Sequence, residues 1–100
     1  MVKHIILWNL KDELTAEEKE TIKKGIKEGL ESLQGKIEGL VDITVNTDGL
    51  ASSTADLMLD STFESENALK FYASHPLHQE VANTRVRPFT KQRSCLDFNV

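Results

Sequence analysis

The sequence predicts an α+β domain in which a four-stranded antiparallel sheet carries its helices on one face, the ferredoxin-like β-α-β-β-α-β arrangement. Three observations lead there. Apolar stretches with strand character lie at 2–10, 40–46, 54–63 and 94–100. A long amphipathic helix follows the first strand, and a second helical stretch, split at Pro76, precedes the last. At 100 residues the chain has room for one domain with one modest core.

Val2–Leu10 opens the sheet. Val2, His4, Ile6, Trp8 and Leu10 share one side and Ile5 and Leu7 the other, so the strand is expected to be buried on both. Thr15-Ala-Glu-Glu18 reads as a capping box, the threonine hydroxyl and Glu18 satisfying each other's free amides. Behind it Ile22, Gly25, Ile26, Gly29, Leu30 and Leu33 recur at helical spacing and form one face, while Lys19, Glu20, Lys23, Lys24, Lys27, Glu28 and Glu31 make the solvated one. Gly25 and Gly29 lie on the inward face, where they would let the helix approach the sheet closely. Gly35 is placed to stop the helix.

Leu40–Asn46 alternates between Val41, Ile43, Val45 and the polar Asp42, Thr44, Asn46, a strand with one polar face. A turn-rich connection over 47–53 leads to the next strand. Ser65 can cap a short helix through Ala68, Leu69 and Tyr72. Pro76 interrupts it and suits the first turn of another, carrying Leu77, Val81 and Val86, which Arg87-Pro88 ends. The closing strand puts Leu96, Phe98 and Val100 on one face.

Helices on one side leave the other side of the sheet bare. The reading assigns His4, Ile6 and Trp8 to that helix-free face, which is too apolar to face water. Face-to-face packing of two sheets would cover it, giving a homodimer with a chamber between the sheet and the helix ends.

Composition narrows the partners. A net charge of −4 argues against nucleic acid, whose phosphates need clustered Lys and Arg. No apolar run is long enough for a membrane span. Cys95 is alone, so no internal disulfide and no thiolate metal site is expected, and a cytoplasmic setting follows. Arg85, Arg87, Lys91 and Arg93 crowd the end of the chain, either as a solvated stripe or as an anchor for a carboxylate or phosphate on a small ligand.

Most of the proton chemistry available near neutral pH sits in Tyr72-Ala-Ser-His-Pro-Leu-His78. His78 would be the third residue of the helix starting at Pro76, whose positive end disfavours imidazolium. Tyr72, near the end of the preceding helix, could reach the same region. A neutral histidine base and a phenol donating to a developing enolate suffice to remove a proton beside a carbonyl. His75 suits a helix cap better than chemistry. His75 and His78 have a spacing that a metal could bridge, but no acidic or thiol ligand lies nearby in sequence, so neither metal nor cofactor is expected.

Three segments, Val2–Glu18, Phe63–His78 and Leu96–Val100, resemble the stress-responsive dimeric α/β-barrel (Dabb) family, and the resemblance covers essentially the whole chain. It implies a dimeric α/β barrel over residues 1–100. In a plant polyketide cyclase of that family the catalytic tyrosine and histidine match Tyr72 and His78, and a pocket histidine matches His4. Leu57 stands where that enzyme has a further pocket histidine. Two function classes follow. One is a cofactor-independent acid/base enzyme, a cyclase, isomerase or lyase, acting on a small oxo or polyketide-like compound in a pocket lined by His4, Ile6, Trp8 and Leu57. The other is a non-catalytic dimer that binds a small hydrophobic ligand or serves stress tolerance.

Overall fold

A computed structural model describes residues 1–100. The elements are β1 (Val2–Leu10), α1 (Ala16–Glu31), β2 (Leu40–Asn46), β3 (Leu57–Phe63), α2 (Glu66–Ser74), α3 (Pro76–Val81), a π-helical turn (Ala82–Val86) and β4 (Thr90–Asn99). All pairings are antiparallel and the strand order is β2-β3-β1-β4, the ferredoxin-like sheet. No helix is long and apolar enough to cross a membrane.

The local signals are realised in detail. The Thr15 hydroxyl accepts from the Glu18 amide at 3.1 Å while the Glu18 carboxylate accepts from the Thr15 amide at 2.9 Å. Ser65 caps α2 through the Ala68 amide. His75 ends α2 and begins α3: its backbone is extended, and its Nδ1 accepts from the Leu77 amide at 3.1 Å. One residue therefore makes the corner, with Pro76 already holding the helical φ of the next turn.

The phase of β1 is the reverse of the expectation. Val2, His4, Ile6, Trp8 and Leu10 face the helices, and Ile6, Trp8 and Leu10 join Ile26, Leu30, Phe63 and Tyr72 in the core. Because both sides of this strand are apolar at its centre, alternation separates two faces without saying which one the helices cover. The bare face is instead built from Ile5, Leu7 and Met58 with Leu96 and Phe98 of β4, as the pairings Ile5–Leu96, Lys3–Phe98 and Leu7–Met58 require. Leu7, Leu96 and Phe98 are 41%, 64% and 41% exposed in the single chain. The apolar helix-free face is real, but other residues form it.

Three smaller differences have local causes. β4 begins at Thr90 rather than Ser94, because its polar first half is held by pairing with Leu10, Asn9 and Trp8 rather than by any apolar pattern. β3 begins at Leu57: before it, Asp56 binds the end of β1 through its carboxylate on the Leu10 amide at 2.7 Å and its amide on the Trp8 carbonyl at 2.9 Å. The close approach of α1 is to the last helical segment, not to the sheet. A Cβ at Gly29 would lie 2.8 Å from Arg85 Cδ and 2.9 Å from Val81 Cγ1, whereas one at Gly25 would meet nothing.

Candidate functional site

The corner at His75-Pro76 folds α3 back beside α2, and this brings the two ends of the heptapeptide together. The Tyr72 and His78 rings lie with centroids 4.2 Å apart and planes at 37°. His4, from the centre of the sheet, meets Tyr72 edge-on at 6.4 Å, and Phe63 packs against Tyr72 at 4.9 Å. Between them is a cavity of about 140 Å³, whose walls include His4, Ile6, Trp8, Tyr72 and His78. Leu57 is not among them; it pairs with Trp8 in the ladder and is buried in the core.

The Tyr72 hydroxyl is buried and has no hydrogen-bond partner. Burial pushes this phenol well above its ordinary range, so it stays protonated. His78 Nδ1 lies 3.1 Å from the Ala73 carbonyl. A carbonyl only accepts, so Nδ1 carries the proton and Nε2 keeps its lone pair. Burial holds His78 below the usual histidine value of 6.5, partly countered by the Ala73 hydrogen bond and reinforced by the charges of Arg87, His4 and Arg93. This lowering runs in the direction expected from the sequence, with burial as its leading cause.

His4 has a partner that the sequence reading did not pair with it. Its Nδ1–H donates to the Asp97 carboxylate, directly opposite in the β1–β4 ladder. The Cys95 thiol lies 3.8 Å from the same His4 nitrogen and 3.5 Å from Asp97 Oδ1. Burial and the neighbouring Asp97 carboxylate raise the Cys95 pKa. The signal was available: in an antiparallel pair of known ends, His4 falls opposite Asp97, and Cys95 lies two residues away on the same face.

Arg93, Cys95 and Asp97 of β4, with Leu69, Lys70 and Ala73 of α2, border an open bay of about 620 Å³. It shares His4, Leu69, Ala73 and Arg93 with the inner cavity, so the bay is the cavity's approach from solvent. The basic cluster of the chain's end is dispersed. Arg85 donates to the Gly25 carbonyl at 2.9 Å and Lys91 pairs with Asp12 at 2.7 Å, both away from the cavity. Only Arg87 and Arg93 reach its wall.

A family model described as the stress responsive A/B barrel domain matches residues 2–100. The chain belongs to this family. A comparison with curated proteins gave no match. Among solved structures it is similar to a dimeric protein of unknown function with a ferredoxin-like fold from Bacteroides fragilis, at 32% identity and a TM-score of 0.92 over 99% of this chain and 95% of that one. A dimeric ferredoxin-like protein of unknown function from Thermobifida fusca aligns at 22% identity and a TM-score of 0.78, covering 99% of this chain and 90% of that one. The hydroxynitrile lyase of Passiflora edulis shares the fold at 19% identity and a TM-score of 0.71, covering 97% of this chain and 90% of that one. Family membership thus accounts for the ferredoxin-like fold and leaves the reaction open.

Proposed function

We propose that this A/B-barrel domain is a cofactor-independent acid/base catalyst that moves a proton on a small oxo compound, in the manner of a cyclase, isomerase or lyase. The observation that carries this reading is the buried Tyr72 hydroxyl, unpartnered beside a neutral His78. A buried hydroxyl without a partner costs about 1–3 kcal/mol, so a ligand oxygen that pairs with it gains in binding what the empty site forgoes. His78 Nε2 takes the proton from the carbon beside the carbonyl, becoming imidazolium. The Tyr72 hydroxyl donates to the oxygen on which the negative charge develops, and the imidazolium then returns the proton to carbon or to a leaving group.

Size limits the substrate. An apolar cavity of about 150 Å³ holds a ligand the size of benzene, and the inner cavity, at about 140 Å³, is of that order. The reacting group fits there, and any longer tail would lie in the bay along β4. Arg87 and Arg93 at the cavity wall suit a carboxylate on that substrate. The Passiflora edulis enzyme, a lyase of the same fold, supports the class of chemistry without specifying it.

The functional unit in this reading is a homodimer. Dimeric relatives and the apolar face on which Leu7, Leu96 and Phe98 are exposed support it, since sheet-on-sheet packing covers that face while leaving the helix side open.

The test is proton exchange in deuterated water, with a panel of small ketones and aldehydes followed by proton NMR. Wild-type protein should exchange the hydrogen beside the carbonyl of at least one compound, and His78→Ala should not. Ligands that bind the cavity without exchange in wild-type protein would favour a non-catalytic small-molecule carrier.

A further inference from the structure

The proton-transfer reading uses Tyr72 and His78 and assigns nothing to the three groups clustered at the mouth of the cavity. His4 Nδ1, Cys95 Sγ and an Asp97 carboxylate oxygen all lie within 4.8 Å of one another. A nucleophilic triad is the first idea to discard. In such a triad the nucleophile and the acid engage opposite nitrogens of the histidine, so that a proton can pass across the ring. Here the thiol and the carboxylate approach the same nitrogen, Nδ1. Three donor atoms gathered within 4.8 Å suit ligation better than relay.

We propose that His4, Cys95 and Asp97 form a three-ligand site for a divalent metal of the zinc type, opening onto the bay between β4 and α2. The ligand set is one imidazole, one thiolate and one carboxylate, which suits zinc through its tolerance of mixed N, S and O donors. With bonds of about 2.3 Å to sulfur and about 2.0–2.1 Å to nitrogen and oxygen, a tetrahedral ion sets sulfur about 3.5 Å from each of the other two ligand atoms. The thiol stands 3.8 Å from His4 Nδ1 and 3.5 Å from Asp97 Oδ1. The remaining edge, the direct hydrogen bond between His4 and Asp97, must open to admit the ion. That movement is a rotation of the Asp97 side chain on a solvated edge strand.

The scaffold is suited to hold the ligands. Cys95 and Asp97 are two apart on one face of β4 and His4 is directly opposite Asp97, so the ladder itself sets their spacing. Phe63 and Tyr72 meet the His4 ring edge-on at 6.2 and 6.4 Å and hold its orientation. Two anionic ligands balance the dication. Arg93 beside them is a cation, which the two anionic ligands offset. The fourth position faces the bay, open to water or to a ligand group. A count of one cysteine argued against thiolate ligation in the sequence, but a single thiolate with two ligands of other kinds is sufficient.

Cobalt and zinc titrations of the chelator-stripped full-length protein, with Cys95 kept reduced, test the site. Cobalt should give a thiolate-to-metal charge-transfer absorption saturating at about one ion per chain, the open-site stoichiometry. Cys95→Ser should abolish that absorption. Both Cys95→Ser and Asp97→Asn should weaken zinc binding by more than about 100-fold, beyond the range that loss of a mere supporting group costs. Glu66→Gln, an acidic group on the bay but outside the cluster, should leave both readouts unchanged. His4→Ala removes a buried residue and is not needed, since the two exposed positions decide the matter. Absence of the charge-transfer band in wild-type protein, or zinc affinity indifferent to Cys95→Ser and Asp97→Asn, overturns the proposal.

Discussion

The ring of Tyr72 lies 4.2 Å from the ring of His78, across a helix break, and its hydroxyl points to no acceptor. The break permits this contact. A continuous helix would set residues six apart on different faces, whereas the corner at His75 turns α3 until His78 rests on Tyr72.

Removing the hydroxyl should therefore help the fold and harm the function. Tyr72→Phe deletes an unsatisfied buried group and keeps the packing of the ring against Phe63 and His4. Its stability should match or exceed wild type by up to about 1–3 kcal/mol, while proton exchange or ligand binding falls sharply. Thermal melts beside activity assays check this, and a clear loss of stability would mean that the hydroxyl has a partner in the folded protein.

His75→Ala should behave in the opposite way. Its Nδ1 supplies the only side-chain cap of α3, so the fold should lose about 1 kcal/mol. Ligand binding per folded molecule should stay near wild type, measured by titration well below the melting temperature. A large loss of binding with unchanged stability would place His75 in the pocket.

The pH dependence follows from burial of His78. Its folded-state pKa lies below 6.5, so the folded chain binds fewer protons than the unfolded chain as pH falls through 6.5. The contribution of neutral His78 is present above that value and is lost as the pH drops from 6.5 towards the folded pKa. Catalysis needs the same neutral ring, so its acid limb should fall below 6.5, and the raised phenol of Tyr72 should add no alkaline limb near neutrality. Urea melts of wild type and His78→Ala across pH 5–7.5 should converge at the acid end; a constant difference would contradict the assignment.

The strand phases separate core from interface. Trp8→Ala removes a buried indole from under the helices and should cost about 3–5 kcal/mol of fold stability. Leu96→Glu changes an exposed side chain on the helix-free face and should leave the single-chain fold intact while splitting the dimer. Light scattering at micromolar concentration should give about twice the chain mass of 11.2 kDa for wild type and about once for Leu96→Glu. A wild-type monomer would remove the reason for the apolar face.

How much of this was legible in the sequence depends on what each feature needs. Caps and breaks are local, so Thr15, Ser65, His75 and Pro76 announce themselves through short-range hydrogen bonds and a fixed φ. The element order follows from periodicity. The side of β1 that the helices cover is a tertiary fact, and a strand apolar on both sides carries no mark of it, so alternation alone does not place His4, Ile6 and Trp8 on the helix side. They still reached the pocket, because the pocket is on the helix side too. Asp97 carries no mark of its role, which exists only through strand pairing with a residue at the far end of the chain. The orphaned hydroxyl of Tyr72 is a property of packing, and no pattern of residue types could show it.

The most direct measurement is a crystal structure of the protein with the compound that exchanges fastest. The account predicts an oxygen of that compound within about 2.6–3.2 Å of the Tyr72 hydroxyl, with the exchangeable carbon beside His78 Nε2. A ligand lodged only in the bay along β4, with the Tyr72 hydroxyl still unpartnered, would contradict it.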